Sequence, residues 1–169
     1  MPDLNTKVSI QSFQQCDGSN FSTAGIDVSK NIGKFSLSTY TGVGTSLKKG
    51  STGAVIDLKG SMPYGNSKIS GGFRVRHNLN PNSKSVQFRL QPATVTIPLT
   101  NKTNIYTTPY VATKITYGKK GADTTFGNFT GISTKISKNV NAFVEGQIYD
   151  VTKINSSTTS VNLGISVKI

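Results

Sequence analysis

The last strand-length segment of the chain alternates without a break. Val161, Leu163, Ile165, Val167 and Ile169 occupy one phase, and Asn162, Gly164, Ser166 and Lys168 the other. Successive side chains of a β-strand point to opposite faces, so a strict period of two demands an extended segment with one apolar and one polar face. A helix, with a period of 3.6, cannot satisfy it. The same alternation recurs upstream. Ala54, Ile56, Leu58, Gly60 and Met62 alternate with Val55, Asp57, Lys59 and Ser61, and Ile69, Gly71, Phe73 and Val75 with Gly72, Arg74 and Arg76. Val86, Phe88 and Leu90 alternate with Gln87, Arg89 and Gln91, and Val140, Ala142, Val144, Gly146 and Ile148 with Asn141, Phe143, Glu145, Gln147 and Tyr149.

Turn chemistry divides these runs. Ser29-Lys30-Asn31-Ile32-Gly33, Tyr64-Gly65-Asn66-Ser67, Thr100-Asn101-Lys102-Thr103-Asn104 and Ser137-Lys138-Asn139 carry the Gly and Asn residues that tight hairpins favour. Looser connections fall between them, at residues 44–53, 78–85, 118–125 and 153–159. Short turns therefore alternate with longer loops. This rhythm predicts about ten strands, over residues 6–14, 21–29, 34–43, 53–62, 68–77, 86–97, 104–117, 126–136, 140–150 and 159–169. The expected fold is all-β: one antiparallel up-and-down meander over residues 1–169, closed into a single barrel domain of about ten strands. An eight-strand barrel and a β-sandwich are the alternatives.

Composition fits a sheet with one polar face throughout. Hydrophobic residues make up 34% of the chain, below the roughly 45–50% of ordinary globular domains. Regular apolar recurrence argues against disorder. No window approaches the ~18 apolar residues of a transmembrane helix. The opening Met1-Pro2-Asp3-Leu4-Asn5 lacks the basic and apolar regions of a secretory leader, so an exported protein would need a leader already removed.

Ionisable groups exclude most catalysis. His77 is the lone histidine and Cys16 the lone cysteine, too few for a zinc or copper site. The seven acids are Asp3, Asp17, Asp27, Asp57, Asp123, Glu145 and Asp150, and nothing in the pattern pairs two of them as a hydrolytic dyad. No GxSxG is present, and Gly118-Lys119-Lys120-Gly121 lacks the spacing and following helix of a phosphate-binding loop. A non-enzymatic protein with no cofactor and no metal is expected.

Short turns at one end, longer loops at the other and alternating strands of about ten residues form the sequence pattern of a transmembrane β-barrel. The hairpin from Gly131 to Tyr149 and the final strand Ser160–Ile169 resemble the C-terminal region of small bacterial outer-membrane β-barrel proteins of the opacity type, which are porin-like in architecture. That resemblance implies a non-enzymatic outer-membrane barrel with a lipid-facing apolar exterior.

The polar phase would then line a lumen. Lys59, Arg74, Arg76, Arg89, Lys114, Lys135 and Lys168 share it with Asp27, Asp57 and Glu145. An excess of cations would favour anions in a water-filled pore. Alternatively, the same groups would pair and fill the interior as a plug. Val161, Leu163, Ile165, Val167 and Ile169 would face lipid or a partner subunit. The loop lysines Lys48, Lys49, Lys119 and Lys120 are candidates for contact with an anionic ligand such as phosphate, polysaccharide or nucleic acid. A net charge of +12 agrees with any of these.

A second reading is a virion structural protein, a capsid decoration or tail component built of a β-rich fold, which needs no leader. In that case the expected partners are copies of itself and other structural subunits rather than a lipid bilayer. The location would be a virion or another extracytoplasmic assembly rather than the outer membrane. The two readings differ in the direction of the aliphatic face, which the alternation cannot decide because it fixes a period and not a direction.

Overall fold

The computed structural model describes residues 4–15, 20–46, 51–80, 84–152 and 159–168, with the side chains of residues 11–15, 20–21, 46, 51 and 168 left aside. Within them lie ten strands and no helix: β1 (Asn5–Gln15), β2 (Asn20–Ile32), β3 (Phe35–Ser46), β4 (Ser51–Tyr64), β5 (Ser67–Asn78), β6 (Ser85–Pro98), β7 (Thr103–Thr116), β8 (Asp123–Lys135), β9 (Val140–Ile148) and β10 (Thr159–Lys168). Each strand pairs antiparallel with its neighbour in sequence. β1 also pairs with β10, from Ser9↔Lys168 to Gln15↔Asn162, which closes the barrel. The closed ten-strand meander replaces both the eight-strand barrel and the sandwich. Closure satisfies the backbone groups that an open sheet would leave at its edges.

The four connections at one end of the barrel span two to four residues, and the five at the other span four to ten. β2–β3 and β4–β5 are joined by the two-residue turns Gly33-Lys34 and Gly65-Asn66. In both, the glycine is the first central residue and takes a positive φ, 59° and 57°, as the type II′ hairpin requires. The expected end of β2, at residue 29, is three residues too early. Lys30 and Asn31 instead continue the ladder opposite Leu37 and Ser36, because Gly33 alone supplies the conformation that reverses the chain.

One irregularity bends the wall. Between Leu90 and Val95, β6 takes five steps where β7, from Val111 back to Thr107, takes four. Pro92 lies in this bulge, where its missing N–H costs the ladder nothing.

The direction of the aliphatic face follows from exposure. Ile56 is 49% exposed, Leu163 53% and Ile165 52%, while Arg89 on the opposite phase is 8% exposed and Asn162 6%. The apolar side chains form the outer surface, and the polar phase is covered inside. This is the reverse of the facing that a sandwich, a virion subunit or a soluble ligand barrel would use. Aromatic side chains reach the outside near the two rims: Phe35 and Tyr64 at the short-turn end, Tyr117 and Phe126 at the other. Ile169 lies outside the described residues.

Candidate functional site

The interior is built strand by strand from the polar phase. Asp57 on β4 stands directly opposite Arg74 on β5 in register. The guanidinium makes two parallel contacts, Arg74 Nε to Asp57 Oδ1 at 2.5 Å and Arg74 Nη2 to Asp57 Oδ2 at 2.6 Å. This fork-on-fork arrangement is the strongest geometry open to a side-chain ion pair. Water still reaches it: the side chains are 38% and 22% exposed.

Arg89, opposite Arg74 on β6, has no carboxylate partner among the described residues. Its guanidinium carbon lies 4.4 Å from the Tyr110 ring centroid and 4.8 Å from that of Phe129. The two rings stack 4.7 Å apart. Ala112, Arg89's register partner on β7, is small enough to leave room for this stack. A cation over aromatic faces is stabilised by the ring quadrupoles, and more so where water is excluded.

Two tyrosines of β7 cross β8 to reach β9, and glycine makes the crossing possible. Tyr106 pairs with Gly131 in register and Tyr110 with Gly127. Each phenol ring lies over its glycine: a Cβ on Gly131 would stand 2.7 Å from Tyr106 Oη, and one on Gly127 would overlap Tyr110 Cζ and Oη. Beyond the glycine, Tyr106 donates to Glu145 Oε2 at 2.9 Å, and Asn162 of β10 donates to Glu145 Oε1 at 3.4 Å. Tyr110 donates to the Ile148 carbonyl at 3.3 Å and accepts from Gln147 Nε2 at 3.1 Å. Thr94 and Thr108 join hydroxyls at 2.9 Å deeper in the same wall.

The interior is therefore unevenly filled. From β6 to β10 it is packed with Arg89, Tyr110, Phe129, Thr94, Thr108, Gln147 and Asn162, all buried. Along β4 and β5 it carries charge that water reaches, with Lys59 exposed and Arg76 half-buried beside Arg74. In the middle of the wall four cations (Lys59, Arg74, Arg76, Arg89) face two carboxylates, Asp57 and Glu145, of which Asp57 is held by Arg74.

Other residues expected here lie elsewhere along the barrel. Lys114 stands opposite Asp123 at the loop end, Lys135 opposite Asn141 at the short-turn end, and both are exposed. Asp27 stands opposite Lys7 on β1, below the central cluster. For Lys168 the structure gives only the backbone register. Lys119 and Lys120 are exposed in the β7–β8 connection, while Lys48 and Lys49 lie outside the described residues. His77 is on the outward phase of β5, its ring edge-on to Tyr117 at 5.9 Å. The uncharged half of the lining, above all Tyr106, Tyr110, Phe129 and Gln147, was missed by a reading centred on charge. Its signal was two tyrosines on the polar phase of β7 facing two glycines at the same spacing on β8.

No protein-family model matches the chain, and no curated protein matches it in sequence. Its fold is that of the outer-membrane β-barrels. The NanC porin superposes over 96% of this chain and 100% of its own, with a TM-score of 0.53 and 12% identity. A loop-deletion form of OmpT, an outer membrane protein of Vibrio cholerae, matches over 95% of this chain with a TM-score of 0.52 and 11% identity. The chain spans 62% of the length of that OmpT. The likeness first read in the last hairpin and strand thus extends to the whole fold.

Proposed function

We propose that this chain is a porin-like outer-membrane barrel, non-enzymatic, acting over residues 1–169 as one domain whose interior is biased towards anions. The observation that carries the reading is the facing of the wall: aliphatic side chains outside, Asp57, Arg74, Arg89 and Glu145 inside. An apolar exterior of this kind is stable against hydrocarbon and costly in water. The packed β6–β10 side narrows the lumen, and the charged β4–β5 side leaves a water-reached path lined by Lys59, Arg74 and Arg76. Excess cations along that path lower the electrostatic barrier to anions and raise it to cations.

Planar-bilayer recording under a KCl gradient tests this. The expected result is small-conductance current whose reversal potential lies on the chloride side. A cation-side reversal potential, or a barrel that inserts without passing current, would overturn the anion-pore part of the proposal.

A further inference from the structure

Among the described residues, the two ends of this barrel differ in how their lysines are accompanied by carboxylates. Lys34 lies in the β2–β3 turn, Lys68 at the start of β5, Lys102 in the β6–β7 turn and Lys138 in the β8–β9 turn. All four short turns therefore carry or adjoin a lysine. Lys7, Lys30 and Lys135 add to the same rim, at the corresponding ends of β1, β2 and β8. Among the described residues of the four turns and the strand ends that flank them there is no carboxylate; Asp27, further up β2, stands in register with Lys7. Among the described residues of the opposite rim, Lys84, Lys114, Lys119 and Lys120 are interspersed with Asp123 and Asp150.

Two of the short-turn lysines converge. Lys34 and Lys68 line a recess of about 200 Å³ between the first two hairpin turns, together with the hydroxyl-bearing Ser36, Ser61 and Ser67 and the apolar Met62 and Pro63. Ser36 and Ser61 are register partners on β3 and β4, which fixes their hydroxyls side by side. Two ammonium groups and three hydroxyls around a small open recess supply the donors that a phosphate oxygen accepts. Met62 and Tyr64, exposed on the outward phase just beside it, would meet acyl chains.

We propose that the short-turn rim docks on anionic phospholipid, with the Lys34–Lys68 recess holding one headgroup phosphate. The inference rests on the membrane-barrel reading above. It goes further by naming the lipid chemistry of one leaflet and the residues that recognise it. Charge complementarity selects the occupant, because basic side chains at a bilayer surface are drawn to anionic headgroups.

The test uses the full chain folded in detergent, with native mass spectrometry reading how many lipids stay bound. Phosphatidylglycerol should be retained well above phosphatidylcholine. Replacing both lysines (K34Q with K68Q) should reduce that preference by about fivefold for each lysine removed. K84Q, at the other rim, should leave it unchanged. Equal retention of the two lipids would overturn the proposal, as would an equal loss per lysine in K84Q and in the double variant. Displacement of the bound lipid by inorganic phosphate at low concentration would assign the recess to free phosphate and overturn it too, as would heparin binding without lipid preference. Folding is followed separately by gel mobility, so a chain that never forms a barrel in detergent fails the membrane reading. One that folds and shows no lipid preference fails this inference alone.

Discussion

Replacing Asp57 by Asn removes one charge and keeps the shape, which isolates the Asp57–Arg74 pair. Two forked contacts at 2.5 and 2.6 Å would give roughly 1.5–3 kcal/mol for a well-covered charge-assisted pair. Arg74 is 38% exposed, however, so water screens the pair, and fully exposed pairs give only about 0–1 kcal/mol. The expected coupling lies between the two limits, at about 1–2 kcal/mol. A double-mutant cycle with D57N and R74M, in urea unfolding from detergent micelles followed by circular dichroism, measures it. The chain contains no Trp, so indole fluorescence is no substitute. Asp57→Asn should also leave Arg74 uncompensated in the lumen and strengthen anion preference, while Arg74→Met should weaken it. A coupling energy indistinguishable from zero would refute the ion-pair argument. Selectivity that shifts the same way in both variants would refute the electrostatic one.

Three further outcomes follow from the same wall. Leu163→Lys places a charge on the outward face midway along β10 and should cost about 2–4 kcal/mol in bilayers, read as lost insertion, whereas Ser160→Lys, on the inward phase, should insert normally. Gly127→Ala drives a methyl into the Tyr110 ring and the Ile148 carbonyl, so it should destabilise by about 1–3 kcal/mol; Tyr110→Ala in the same chain should relieve part of the loss, and full additivity of the two would show that the ring does not lie there. Gly33→Val forces a β-branched residue to a φ of 59° and should cost about 1–3 kcal/mol, while Lys34→Val beside it should cost far less.

The strand plan was legible in the sequence because a closed meander writes its period directly into the chain. The alternation from Val161 to Lys168 and the turn residues at Gly33 and Gly65 suffice to count strands and place the hairpins. Facing was not legible: a period of two is the same whether Leu163 meets lipid or a protein core, and only the exposure of the closed wall separates the two. The charged half of the interior was visible as Asp57, Arg74 and Arg89 on one phase. Its partnerships were not, because they depend on register, which sets Asp57 against Arg74 but sends Arg89 to two rings on β7 and β8. The lysine-rich rim was hidden for a similar reason. Lys34, Lys68, Lys102 and Lys138 lie far apart in sequence and come to one end only when four hairpins share a polarity.

The account stands on the outward aliphatic face meeting lipid. The most direct test is to express the chain, ask whether it stays in solution without detergent, and compare boiled with unboiled migration on SDS gels. A detergent-dependent protein with a heat-modifiable band is the predicted result. A freely soluble protein whose migration boiling does not change would contradict it.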